Sequence, residues 1–388
     1  MYKKFIKTKY MIFFCFCLLF LLSSIFSSSY AVKISDGKEG FFETGDMIYA
    51  RKWHSSVLLP DGRVFISGGY GFRAHVDHPG SSIELATTEI YEPKTKKFIE
   101  GPPLEYARAK HSSVLLDNGK VLIAGGTRTC YPGYTEIYDP KTNTITTGPK
   151  LTTYSSNCGF GFNIVKIDED NYILENGLPI LNGFTGFNKY NEKTNTISEI
   201  KVDDFYKIKI GNHIKFFKID NNEILLIYHD GHVVVTDKNF SKILRQSSPK
   251  CYHPNINGSY IMLDNKNILE IGGDQKAGYI AEIYDVKKNK FIPVKKNRAE
   301  PIHPVKVLKK TDGNIIVFNG HFYVHPLAEE FLVNKHILKQ KTYHLPTPFE
   351  LGSFVLLKDG SFLYTGGEDR CDKYKRNISN QAYIYKFE

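Results

Sequence analysis

Two stretches of the chain place the same kinds of cationic residue in the same order, Arg51-Lys52-Trp53-His54 and Arg108-Ala109-Lys110-His111. A guanidinium three residues ahead of an imidazole, with an ammonium between them, suits an anionic or hydroxyl-rich ligand. Because the pair recurs, Arg and His equally fit a framework role in which they stitch one repeat to the next. Arg108, Lys110, Arg128 and Arg298 are less periodic and the better binding candidates, and Arg51, Lys52, His54, Arg73, His111, Tyr252, His253, His303 and Arg370 complete the candidate ligand-binding residues. His75-Val76-Asp77-His78 offers two imidazoles and a carboxylate, donors that suit zinc, copper or nickel. Without a distant partner such a cluster reads first as a solvated loop, so neither a metal nor another cofactor is expected. No Ser-His-Asp spacing, phosphate-cradling glycine loop or paired-carboxylate motif stands out.

The elements that must position these residues come from a repeat. His54 through Val64 matches His111 through Val121, and each continues into an apolar run ending in paired glycines, Gly68-Gly69 and Gly125-Gly126. A variable loop follows, then Glu89-Ile90-Tyr91 or Glu136-Ile137-Tyr138, then a Pro-Lys-Thr turn at residue 93 or 140. The glycine pair recurs or decays at Asn176-Gly177, Ile227-Tyr228, Gly272-Gly273, Asn319-Gly320 and Gly366-Gly367, giving seven units. Seven residues after the repeat Tyr stands an apolar residue, as in Tyr91 to Phe98, Tyr138 to Ile145, Tyr190 to Ile197 and Tyr284 to Phe291. Thr236 to Ile243 and Phe331 to Leu338 keep the same offset. Apolar runs split by Asp-Gly or Asn-Gly read as hairpins, so each unit is four short antiparallel strands.

With its di-glycines and a period near 50 residues, the chain resembles the kelch-repeat β-propeller family over residues 41 to 388. The resemblance implies an all-β, seven-bladed propeller. The Trp expected after the repeat Tyr is replaced by Phe98, Ile145, Ile197 and Phe291, and the fourth unit has lost its glycines. The last unit runs out one strand short, while Phe41 to Met47 matches Phe98 to Leu104. The amino-terminal strand should therefore complete blade seven and remove an open edge. A more distant resemblance is to galactose oxidase-like copper-radical enzymes, which imply a Tyr-His pair at the entry of an inner strand, a Cys–Tyr crosslink, another Tyr and a further His. Tyr252-His253 beside Cys251 matches that pattern locally, and Trp53-His54 and Lys110-His111 stand at what read as the equivalent entries.

Residues 1–31 read as a secretory signal: Lys3, Lys4, Lys7 and Lys9, an apolar run over Met11–Phe26, then small residues up to Ala31. The remaining residues, 32–388, read as one propeller domain, exported to a periplasm, to the medium or to the cell surface, with no later membrane span. The chain holds 51 Lys and Arg against 41 Asp and Glu, a formal charge of +10. Four of those lysines lie in the first 31 residues, and the rest of the excess is scattered, which excludes a nucleic-acid footprint. Four cysteines follow the signal, and Cys130 with Cys158 is the expected disulfide because the two fall on neighbouring blades.

In a four-stranded antiparallel blade, the loop entering strand one and the loop between strands two and three lie on the same face. That face gathers the two cationic entries and the longest insertions, residues 70–88 and 368–380. The sequence thus points to a non-catalytic, monomeric recognition module for a protein or a glycan, with an anionic ligand suited to the charge. The alternative is a secreted or periplasmic sugar-active enzyme, copper-radical oxidase-like or sugar mutarotase-like.

Overall fold

The computed structural model describes residues 39–72, 82–126, 133–152, 163–175, 186–201, 214–228, 231–248, 259–263, 266–271, 281–294, 304–310, 312–321, 324–341, 351–372 and 375–387. The leader expected over residues 1–31 lies outside them. The described residues form strands and turns with no helix. Seven four-stranded antiparallel sheets account for most of them, and each is one sequence repeat.

Blade one pairs Ser55–Leu58, Val64–Ser67, Thr88–Glu92 and Lys97–Glu100 in that order, and blade two repeats it with Ser112–Leu115, Val121–Ala124, Tyr134–Asp139 and Thr144–Lys150. Blades three to six begin at Asn163–Lys166, Ile214–Lys218, Ser259–Met262 and Pro304–Lys309. Blade seven uses Ser353–Leu356, Phe362–Thr365 and Ala382–Lys386, and takes its fourth strand, Gly40–Glu43, from the start of the chain. In that closure Phe41 pairs with Tyr385 and Phe42 with Ile384. Pairing Gly40–Glu43 with Ala382–Lys386 gives blade seven the same four strands as the other blades.

The seven-residue offset has a simple cause. Tyr91 pairs directly with Phe98, Tyr138 with Ile145, Tyr190 with Ile197, Thr236 with Ile243, Tyr284 with Phe291 and Phe331 with Leu338. The hairpin that joins strands three and four fixes this count, and its turn places Asn143, Asn195 or Asn289 at φ between 51° and 53°. Asn tolerates that left-handed conformation better than most residues. Its carboxamide also accepts the hydroxyl proton of the buried Tyr, at 3.1 Å for Tyr138, 3.2 Å for Tyr190 and 2.6 Å for Tyr284. Blade one has Lys96 at the turn instead, and Tyr91 shares a hydrogen bond with Thr44 across the blade interface.

Seven hydrophobic clusters fill the seven interfaces between neighbouring blades. The closing segment enters two of them: Phe41 packs on Phe318 and Tyr385 between blades six and seven, and Met47 lies between blades seven and one. Blade four keeps its place without a di-glycine because a short turn joins its second and third strands, closed by Tyr228 N donating to His232 O and Gly231 N to Tyr228 O.

Removing residues 39–50 should leave blade seven open and yield insoluble or unfolded protein on expression and circular dichroism. Phe41→Ala should fold but lose about 3–5 kcal/mol of unfolding free energy in urea. A truncated chain with a native-like cooperative transition would refute the closure.

Candidate functional site

The site is the mouth of the ring where the inner strands of blades seven, one and two begin. Each entering segment is fixed by its arginine. Arg51 donates from Nη1 to Gly68 O at 2.6 Å and to Thr87 O at 3.1 Å, and from Nη2 to Glu89 Oε1 at 2.7 Å. Arg108 repeats this one blade on, with Gly125 O at 3.1 Å, Tyr134 O at 3.2 Å and the Glu136 carboxylate. All four charged side chains are fully out of solvent. Burial works against each guanidinium's charge, and the carboxylate facing it works in favour.

The main chain of the same residues reaches the preceding blade. Gly367 N donates to Arg51 O at 2.9 Å, and Gly69 N to Arg108 O at 2.8 Å. This approach explains the first glycine of each pair. Gly68 and Gly366 adopt φ of 58° and 66°, and a Cβ would stand 2.3 Å from Arg108 O or 2.2 Å from Arg51 O. The histidines complete the stitch, with His54 Nε2 sharing a hydrogen bond with Thr365 Oγ1 and His111 Nε2 with Ser67 Oγ, each at 2.8 Å. Burial first, then the guanidinium of Arg51 or Arg108, holds both imidazoles well below the ordinary histidine range, so they are neutral. Blade seven has Gly352 in the matching position, where a Cβ would meet the ring of Tyr364 and Thr365 O.

Arg51, Arg108, His54 and His111 are therefore not a cationic rim. Their polar groups face the blades, and Arg108 is as much a framework residue as Arg51, contrary to the expectation from its less regular surroundings. What the stitch presents at the mouth is the residue just before each His. Trp53 and Lys110 are half-buried, with φ of 52° and 58°. Leu351 of blade seven has φ 64°. Left-handed backbone costs about 1–2 kcal/mol at such residues. A chain of hydrogen bonds running from blade to blade accompanies it, Lys110 N to Trp53 O at 2.9 Å and Trp53 N to Leu351 O at 2.8 Å. The Lys110 ammonium lies 4.4 Å and the Lys52 ammonium 5.0 Å from the centre of the Trp53 ring, and Tyr70 meets that ring edge-on at 5.6 Å.

Lys52 also gathers the two insertions. Its backbone exchanges hydrogen bonds with Tyr70, at 2.9 and 2.8 Å, at the root of the hairpin Tyr70–Phe72 and Ser82–Glu84. Its buried ammonium pairs with Glu368, at the root of the hairpin Glu368–Asp372 and Lys375–Ile378. The expected neighbourhood of the blade-one and blade-seven insertions is thus present at their bases. Arg370 lies on the second hairpin. Arg73, His75, Asp77, His78, Arg128, Cys130, Cys158, Tyr252, His253, Arg298 and His303 lie outside the described residues.

Sequence reasoning passed over Glu89, Glu136 and Glu368, although the repeated Glu-Ile-Tyr carried the signal for the first two. Ser259 pairs with Ile271 as Ser55 pairs with Ser67, and Tyr252-His253 precedes the described part of that blade. Among the described residues no three His, Cys, Asp or Glu side chains come together as metal ligands. His54 and His111 each have a buried Nδ1 without a hydrogen-bond partner. Each nonetheless faces an arginine of its own segment and follows Trp53 or Lys110 rather than a tyrosine. The described entries do not fit a copper centre of the tyrosine–histidine kind.

No family model matches the chain. Two galactose oxidase sequences from Gibberella zeae are each 38% identical to it over 86 residues, which is 22% of this chain and 12% of theirs. A fungal alcohol oxidase of the AA5 family, solved in complex with copper, superposes with a TM-score of 0.65 at 13% identity, over 90% of this chain and 76% of that one. The chain is an all-β, seven-bladed propeller that resembles galactose oxidase over that 86-residue stretch.

Glu89→Gln or Glu136→Gln should each lower unfolding free energy by about 3–5 kcal/mol, since a buried guanidinium loses its counter-charge. A loss below about 1 kcal/mol in denaturant titration would contradict the stitch. The histidines set a pH dependence: unfolded, they take up protons below about pH 6.5 while the folded forms resist, so stability present above that pH is lost as pH falls. His54→Gln combined with His111→Gln should shrink the fall in thermal midpoint between about pH 7.5 and about pH 5. An undiminished fall would assign it to other groups.

Proposed function

We propose that this chain works on the hydroxyl groups of a sugar, as a protein of the galactose oxidase kind, at the mouth formed by blades seven, one and two. The 86-residue stretch that is 38% identical to galactose oxidase carries the reading. It is supported by the mouth itself, where Trp53 and Tyr70 offer aromatic surface for a sugar ring and Lys52 and Lys110 offer donors for its oxygens. The long insertions rooted at Lys52 would wall one side of the ligand. Export through the leader-like residues 1–31 suits a ligand met outside the cytoplasm.

A second reading is recognition without chemistry, of a glycan free or borne by a protein. It is favoured by the residues that precede the two described histidines, Trp53 and Lys110, neither of which supplies a phenol. One experiment separates the two. Protein treated with copper is offered galactose and other primary alcohols while peroxide is followed, and galactose binding is measured in parallel by calorimetry. Peroxide release above a heat-inactivated control supports the oxidase reading, and saturable binding without peroxide supports recognition. Neither peroxide nor binding, with galactose and a panel of hexoses, would overturn the sugar assignment.

A further inference from the structure

Each entering segment crosses the mouth face on its way from the outermost strand of one blade to the innermost strand of the next. Leu104 through Lys110 makes that crossing between Lys97–Glu100 and Ser112–Leu115, and it matches Met47 through Trp53 position by position. Leu104 and Arg108 are buried, as Met47 and Arg51 are. Tyr49 and Tyr106, two residues ahead of the arginine, are only half-buried, so each presents part of its ring to solvent.

The two blades use this tyrosine differently. In blade one its hydroxyl donates to Glu100 Oε1 at 2.7 Å, and the Arg51 guanidinium lies 5.7 Å from the ring centre. Blade two has Thr147 in the register place of Glu100, and the Thr147 hydroxyl donates to the Glu105 carboxylate. There the Tyr106 ring stacks on Tyr134, with centres 6.0 Å apart and planes 12° from parallel. Tyr134 stands where blade one has Thr87, and Arg108 takes its carbonyl as Arg51 takes that of Thr87. Any residue supplies a carbonyl, so the stitch does not call for an aromatic ring at that place. Glu105 N donating to Glu136 at 2.6 Å and Arg108 donating to Tyr134 O at 3.2 Å fix the backbone beneath both rings. Two parallel phenol rings, half-buried and on fixed backbone, offer flat surface for the C–H face of a pyranose and hydroxyls for its oxygens.

We propose that Tyr106 and Tyr134 form a second sugar subsite on the mouth face, so that the ligand is an oligosaccharide lying from Trp53 outward along the entering segment of blade two. The inference rests on the sugar reading and extends it from one hexose to a chain of them. Four residues of that segment separate Tyr106 from Lys110, a span of about 14 Å at full extension. Lys110 in turn brings its ammonium within 4.4 Å of the centre of the Trp53 ring. A free hexose covers one of these aromatic surfaces, and only a chain covers both. Because the rings are already held in place, little of the added contact is spent on ordering the protein.

The full chain is titrated with galactose and with β-1,4-linked galactotetraose by calorimetry. The tetramer should bind roughly tenfold tighter than galactose, the size of one good stacking contact. Tyr106→Ala and Tyr134→Ala should each abolish most of that difference, whereas Tyr106→Phe, which keeps the ring, should retain most of it. Thermal midpoints near that of the parent show that the variants fold. A crystal of the parent soaked in galactotetraose needs no variant and should place sugar against both rings. A tetramer that binds no tighter than galactose would overturn the subsite, as would a gain that survives both alanine variants or sugar seated elsewhere in the crystal. Equal losses in Tyr106→Phe and Tyr106→Ala would assign the gain to the hydroxyl and overturn the stacking surface. The outcomes are separable from those of the preceding section. Galactose bound or oxidised with no gain for the tetramer leaves the sugar reading and removes this one, whereas failure of both sugars to bind removes the two together.

Discussion

The structure depends on one short contact repeated between blades: the carbonyl of an entering arginine pressed against the di-glycine of the blade before it. Gly69 N reaches Arg108 O, and Gly367 N reaches Arg51 O, where no Cβ could be admitted on the preceding residue. The arginine side chain then turns back into its own blade to meet a glycine carbonyl and a glutamate. A single residue thus joins two blades, once through its backbone and once through its side chain. Everything at the mouth is positioned by that double attachment. The buried charges would be costly alone, and they persist because each guanidinium faces a carboxylate and backbone carbonyls, although its Nε has no hydrogen-bond partner.

This economy decides what remains for a ligand. In a segment of four residues, the first and last are consumed by the stitch, the second is buried beside them, and the third is left at the mouth. Trp53 and Lys110 occupy the outermost position in equivalent turns, on backbone that only the surrounding bonds keep in place. The same logic explains blade seven, where Gly352 replaces the histidine because the Tyr364 ring fills its place. Ring closure adds a second constraint, since blade seven is completed by Gly40–Glu43.

The fold was legible because its signals are covariant in position. The seven-residue offset survives replacement of Tyr by Thr236 or Phe331 since it records a hairpin length, not a residue type. The match of Phe41 to Phe98 gave the closing strand for the same reason: both oppose a repeat tyrosine. The site was less legible. Recurrence of Arg51 and Arg108 was visible, but their partners Glu89 and Glu136 lie 38 and 28 residues away behind a variable loop. Sequence cannot tell a buried cation from an exposed one when the neutralising carboxylate is remote. Lys52 gave no hint of Glu368 either, because ring closure alone brings those residues together.

Amide hydrogen exchange tests the central claim most directly, as it reads the stitched bonds one residue at a time. In the intact chain the amides of Gly69, Lys110, Trp53 and Gly367 should exchange as slowly as those of the buried strand residues Ile66 and Leu122, although they lie in connecting segments. Exchange at those four amides on the fast scale of an exposed turn such as Asp61 would contradict the account.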